Sequence, residues 1–393
     1  MKYHLSPAIW LIILIVGLPL LSETVYTPSL PDIAHALSVT DSLVEYTLTI
    51  YLLGFALGTL AWGNLSDTWG RRPCLIMGLA IYLFGCLGCY LSDTIFWLMV
   101  SRLIQAVGGS VGSVLGQAIC RDAFHGVALG KVYASVGGAL AIFPAIGPII
   151  GGFIDQNFGW PAIFLFLIGF GSLVFGLTIR FLPETHIVKN TEYLSLKSLV
   201  IKMGNDRQVM GFGLLVGAAN GVAFSYYAEA PFFMIELLGL SPSQYGLTFI
   251  ALAFATLCGG LVGRKLHNRY DSGKILSYGL KVTLLGSFLF LGSVHIFLDK
   301  TFLIGGCLLA MMIMMGGIAL ITSNALSLAL VDYKNCIGAA SSLFGFSYYA
   351  LVSLFTLGMG YCHNGTLFPM PIYFCALAAF MILVHKMLLK HKA

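Results

Sequence analysis

Of the charged residues inside long apolar runs of this chain, Glu23, Arg102 and Glu229 stand out; Lys281, close to the start of its run, is read as snorkelling. Charge is scarce, since Asp, Glu, Lys and Arg make up only 9% of 393 residues, so each of these needs a physical reason. An arginine held in hydrocarbon costs at least about 2.5–3.5 kcal/mol on insertion scales and must turn inward to a partner. Glu23 lies at a matching depth and is the nearest candidate. A carboxyl held between desolvation and a guanidinium is able to bind and release a proton, which is what proton-coupled exchange across a membrane requires. Glu23 is therefore the leading proton carrier, with Arg102 as its modulator and Glu229 as second choice. The plain alternatives are a static buried ion pair for Glu23 and an exposed interfacial position for Glu229.

A second concentration of charge is the run Gly63-Asn64-Leu65-Ser66-Asp67-Thr68-Trp69-Gly70-Arg71-Arg72-Pro73. Its glycines and proline break the helical pattern and predict a tight loop between two apolar segments. Asp67 is placed to accept hydrogen bonds from the loop and from the N-terminal end of a nearby helix. Arg71 and Arg72 suit phosphate headgroups or acidic partners on other helices; simple anchoring of the loop is the alternative. A third group, Pro144, Gly147, Pro148, Gly151 and Gly152, acts through the backbone. Its prolines remove helical hydrogen bonds and its glycines admit a neighbouring helix, which predicts a segment able to bend or rock, or simply to pack tightly. Polar and aromatic residues at a depth suited to a central substrate cavity are Gln105, Gln117, Asn220, Tyr226, Tyr227, Asn324 and Tyr348. With few fixed charges, they suit amphipathic or mostly neutral compounds.

The elements that must position these residues follow from hydropathy. A helix spanning hydrocarbon needs about 20 predominantly apolar residues. Twelve segments qualify: 7–30, 43–63, 74–92, 95–119, 131–154 and 161–182, then 209–233, 244–263, 275–296, 302–327, 338–360 and 369–388. The fold expected is an all-α polytopic membrane protein, twelve transmembrane helices in two six-helix halves: 1–182, a central loop at 183–208, and 209–393. Basic residues mark one side: Lys2, Arg71, Arg72, Arg121, Lys131, the central loop, Arg264, Lys265, Arg269, Lys274, Lys334, Lys386, Lys390 and Lys392. The opposite loops hold only Lys300. This asymmetry places both termini and the central loop in the cytoplasm. Asp32, Asp41, Asp93, Asp155, Glu236 and Asp299 fall in or beside the opposite loops and read as solvated; His363 reads as interfacial or exposed.

Composition excludes several classes. Apolar residues make up 58% of the chain, well above a soluble domain. The net charge of +5 comes from basic residues spread singly over loops, so no nucleic-acid partner is implied. Nine cysteines, most in apolar segments, form no disulfide framework. Cys86-Leu87-Gly88-Cys89 has a metal-like spacing but lacks histidine or further cysteine ligands. The glycine-rich run at 107–112 lacks the Gly-Lys-Ser/Thr ending of an ATP site. No metal, cofactor or clustered catalytic set is expected, and the partners implied are a small organic substrate, protons and the lipid bilayer around a monomer.

Gly63-Asn64-Leu65-Ser66-Asp67-Thr68-Trp69-Gly70-Arg71-Arg72 between the second and third spans closely resembles the signature of the major facilitator superfamily. Arg102-Leu103-Ile104-Gln105 looks like its helix-4 motif. Pro144-Ala145-Ile146-Gly147-Pro148-Ile149-Ile150-Gly151-Gly152 looks like the helix-5 motif of its antiporters. Tyr26-Thr27-Pro28-Ser29-Leu30-Pro31, Arg121-Asp122, the run from Asn324 to Leu330 and Gly338-Ala339-Ala340-Ser341-Ser342 resemble the bicyclomycin/chloramphenicol-resistance (Bcr/CflA) subfamily of drug:proton antiporters. The chain departs from that pattern at Thr24, where an aspartate is usual and Glu23 is adjacent. It departs again at Glu229, where a small polar residue is usual, and at Trp160-Pro161, where Trp-Arg is usual. The resemblance implies proton-coupled efflux of drugs across a bacterial inner membrane, with the Gly63–Arg72 loop as a cytoplasmic latch. A dedicated exporter of a self-made metabolite such as a siderophore, or a proton symporter for uptake, would use the same fold.

Overall fold

The computed structural model describes residues 7–186, 196–296 and 299–389. Lys2, Lys390, Lys392 and part of the central connection lie outside the described residues. Among those described, twelve helices are long and apolar enough to cross a membrane: α1 (Ile9–Leu37), α2 (Asp41–Trp69), α3 (Arg71–Tyr90), α4 (Ile95–Ala123), α5 (Gly126–Phe158), α6 (Pro161–Phe181), α7 (Arg207–Leu237), α8 (Pro242–Leu266), α9 (Ser272–Ile296), α10 (Lys300–Tyr333), α11 (Ile337–Cys362) and α12 (Pro369–Leu389). A short helix, Leu196–Asn205, lies in the stretch expected to be loop.

Local chemistry sets the helix ends. Asp206 starts α7 by accepting from the amides of Gln208 (2.9 Å) and Val209 (3.4 Å), the use an N-cap carboxylate has for the unpaired first-turn donors. Ser241 and Gln244 form a reciprocal capping box at α8. Asp299 caps α10 through Thr301 and Phe302, so it has a structural role beyond solvation. Pro161 occupies the first turn of α6, where a missing N–H costs nothing; this gives the departure from Trp-Arg a local reason. Gly70 ends α2 with a φ of 94°, a conformation that favours glycine, and its Cα lies close to the Glu184 carboxylate.

Helix α1 is longer than its apolar run. It passes through a 3-10 turn at Thr27–Ser29, beside Pro28, and continues as Leu30–Leu37. Helix α5 runs unbroken from Gly126 through Pro144 and Pro148 to Phe158.

Residues of α1–α6 and of α7–α12 form two largely separate apolar cores. The two halves meet along α2 with α11 and along α5 with α8. The face carrying Arg71, Arg121 and Arg264 is called the basic end below, and the face carrying Asp41, Glu236 and His363 the far end. Bonds joining the halves gather toward the far end: Ser243 Oγ donates to Gly152 O (3.2 Å), Ser353 Oγ to Thr49 O (2.9 Å), and His35 pairs with Glu236 (3.1 Å).

Candidate functional site

Arg102 is fully buried on α4, as its cost in hydrocarbon demands. The expected ion pair with Glu23 is not formed: no salt bridge joins them among the described residues. Instead the guanidinium carbon lies 3.9 Å from the ring centre of Tyr26 and 4.1 Å from that of Tyr51. Two aromatic faces hold the desolvated cation through their quadrupoles, and Nη1 donates to Gln105 Oε1 at 2.6 Å. Gln105 then passes a hydrogen bond to Cys86 Sγ (3.0 Å). Gln105 is fully buried and orients Arg102, and it is not among the residues that line the cavity beside Tyr227.

Glu23 is 2% exposed on α1, and its Oε1 has no hydrogen-bond partner. Tyr51, Tyr227, Tyr348 and Tyr349 lie within electrostatic reach of its carboxyl. Two aromatic groups result: Tyr51 and Phe55 of α2 reach Tyr348 and Tyr349 of α11 across the halves, while Tyr227 packs within the second half. Phe55 meets Tyr349 at 4.5 Å between centroids, and Tyr349 meets Tyr348 at 4.6 Å. Tyr227 meets Phe249 at 5.3 Å and Phe224 at 5.4 Å.

Tyr227 and Phe249 line a cavity of about 170 Å³, together with Pro144, Asn220 and Thr322. Of the expected substrate residues, Asn220 and Tyr227 reach it directly. Asn220 Nδ2 also donates to Val216 O within its own helix (2.9 Å). Tyr226 is fully buried beside Tyr227, with its hydroxyl unpartnered. Asn324 is buried and bonds back to Leu320 O (2.8 Å). Gln117 is exposed on α4. Position along a helix set the depth of these residues but not the direction they face.

At the basic end, Arg71 is the hub. Its side chain donates to Asp67 (2.6 Å), Asp122 (2.8 Å) and Ser66 (2.8 Å). Asp67 therefore pairs with Arg71, and the helix N-terminus expected to meet it is served by another residue. Glu184 accepts from the backbone N–H of Arg71 and of Arg72, each at 3.0 Å, and so caps α3. Arg72 Nη2 donates to Ile179 O (2.9 Å). Sequence reasoning passed over Glu184 because it lies in a connection; its only signal was a carboxylate just beyond an apolar span.

In α5, Gly147 and Gly151 pack against Thr24 and Val25 of α1, and Gly152 packs against Pro242 and Ser243 of α8. Pro148 O in turn faces Gly246 of α8. The motif thus lies on backbone-to-backbone contact both within the first half and between halves.

The far end holds the least expected cluster. Glu229 is 3% exposed, not an interfacial side chain, and both its oxygens lie 3.0 Å from His363 Nδ1. Glu45, fully buried on α2, places Oε1 3.4 Å from the same nitrogen, and Asp41 Oδ2 lies 3.4 Å from Nε2. His363, read as interfacial or exposed, is half-buried and faced by carboxylates from both halves. The hydrogen bond to Glu229 raises its pKa above 6.5, with burial opposing. Asp155 is likewise buried at 3% and not solvated.

The chain matches the Major Facilitator Superfamily model over residues 12–387. It is 33% identical over 374 residues to an uncharacterised transporter of Rickettsia felis, covering 91% of this chain and 90% of that protein. It is 29% identical over 384 residues to a chloramphenicol resistance protein of Pseudomonas aeruginosa, covering 97% and 90%. In structure it is similar to the xylose transporter XylE from E. coli in a partially occluded inward-open conformation, with a TM-score of 0.73 at 15% identity over 98% of this chain and 99% of that one. Twelve spanning helices, two packed halves and a family match along nearly the whole chain agree: the protein belongs to the major facilitator superfamily, and is a transporter and not an enzyme.

Proposed function

We propose that the protein exports a small organic compound in exchange for protons, as a drug:proton antiporter of the Bcr/CflA type. Secondary transport by alternating access comes with the family. The exchange reading rests on one observation: Glu23, buried with an unpartnered carboxyl oxygen, lies within electrostatic reach of Tyr227, which lines the cavity. A proton and an amphipathic or neutral compound would then compete for one place, and competition is the simplest basis for antiport. Arg102 modulates Glu23 from its seat between Tyr26 and Tyr51, without touching it. Glu229 is engaged at the far end and is the weaker candidate for the carrier.

The excess of Lys and Arg at the basic end supports a cytoplasmic position for that end, as the positive-inside rule expects. The far-end bonds between halves then close the outer side, and the Asp67–Arg71–Asp122 network is the cytoplasmic latch waiting on its half. Gly147, Gly151, Gly152 and the two prolines form the joint on which the halves rock.

The relative named for chloramphenicol resistance supplies a first probe. Everted vesicles carrying the full chain should dissipate an imposed proton gradient when chloramphenicol or bicyclomycin is added. Glu23→Gln should abolish that response, and Glu229→Gln should leave it. Exchange unchanged in Glu23→Gln would overturn the reading.

A further inference from the structure

We propose that Glu45, Glu229 and His363 form a site for a divalent transition cation, built only when the two halves meet at the far end. The carboxylate of Glu45 comes from α2 in the first half, while Glu229 on α7 and His363 just after α11 belong to the second. One ligand atom from each lies within 4.8 Å of the others. The spacings of 3.0 Å and 3.4 Å between His363 Nδ1 and the two carboxylates are close to the edge of a tetrahedron of ligands around zinc, about 3.3 Å for bonds near 2.0–2.1 Å.

Three further observations separate this cluster from an ordinary ion pair. Glu45 is fully buried and neither of its oxygens makes a hydrogen bond; the nitrogen facing it, His363 Nδ1, lies 3.4 Å away without forming one, so the carboxyl is aimed into the cluster. In the form that can hold a metal, with both carboxylates ionised and the imidazole neutral, the set carries a charge of −2, which a divalent cation cancels. Asp41 faces the second imidazole nitrogen at 3.4 Å. An outer carboxylate there fixes the tautomer that leaves Nδ1 free for a metal, the arrangement common around metal-bound histidines. The packing also favours close approach: a Cβ at Gly360 would lie 3.2 Å from Glu45 Oε2, and the Phe232 ring meets the imidazole at 5.7 Å. Asp41, partly exposed, offers the route in. A cation held by both halves stabilises the far-end-closed state and dissociates when the halves part.

The test uses the full chain, purified in detergent and stripped with chelator, with Co2+ or Zn2+ alone as probe. Expected are one saturable Co2+ per chain, the strong visible absorption of a four- or five-coordinate ion, its displacement by Zn2+, and a raised Tm. Glu45→Gln and His363→Gln should lose saturable binding. Asp41→Asn should weaken it about 10–100-fold. Glu23→Gln should keep it, which separates this site from the proton-exchange reading. The wild-type spectrum needs no variant and stands even if Glu45→Gln does not fold. Absence of saturable Co2+ binding, a weak six-coordinate spectrum, or binding that survives both Glu45→Gln and His363→Gln would overturn the proposal.

Discussion

Replacing Gly152 by alanine tests how the halves are held together. In the far-end-closed arrangement, a Cβ on Gly152 would run into the backbone carbonyl of Pro242, with Ser243 Cα 3.1 Å away. These are backbone atoms of α8, so no flexible side chain can swing aside. Overpacking of this kind costs about 1–3 kcal/mol. The cost falls on the closed far end and is relieved when α5 and α8 separate, so the population ratio should shift about 5–150-fold toward separation. Hydrogen exchange followed by mass spectrometry reads this directly: far-end peptides spanning residues 35–46 and 236–245 should exchange faster by a similar factor. Gly169→Ala is the control, because nothing lies within 4 Å of a Cβ there. Unchanged far-end exchange in Gly152→Ala, or an equal rise in Gly169→Ala, would refute the reasoning.

Three more substitutions probe separate parts of the account. Glu184→Ala removes the acceptor for two amides at the start of α3 and should lower stability by about 0.5–2 kcal/mol in thermal unfolding, with Glu184→Gln recovering part because its amide oxygen still accepts. Arg102→Lys keeps the charge but not the planar group between Tyr26 and Tyr51 nor the bond to Gln105; about 1–2 kcal/mol should be lost in unfolding. Tyr226→Phe removes a buried hydroxyl that has no partner, so stability should hold or rise by up to about 1 kcal/mol, and a fall would mean that the hydroxyl is engaged by substrate or water.

The spans were legible because a membrane helix must be long and apolar, and a window of about 20 residues captures that constraint. The extension of α1 to Leu37 was not, since Asp32 and His35 dilute its hydropathy. Burial of Arg102 followed from the cost of the charge alone. Its partners did not: depth along the helix suggested Glu23, while the direction of the side chain selected Tyr26 and Tyr51, aromatic residues that the search for a counter-ion passed over. The far-end cluster was hidden for a different reason. Glu45, four residues after Asp41, looks in sequence like another solvated acid near a loop; only the packing of α2 against α11 buries it beside His363, more than three hundred positions away. Glu229 could be singled out by its apolar surroundings, whereas its partner could not. Gly152 was recognisable as a site of close approach, but which backbone approaches it depends on the meeting of the two halves.

Competition of proton and substrate at Glu23 is read most directly by proton release on binding. The purified chain in weakly buffered solution is mixed with saturating chloramphenicol, or whichever compound drives exchange in vesicles, and a pH indicator is followed. The account predicts release of close to one proton per chain in the wild type and in Glu229→Gln, and none in Glu23→Gln. Release that persists in Glu23→Gln, or binding with no release in the wild type, would contradict it.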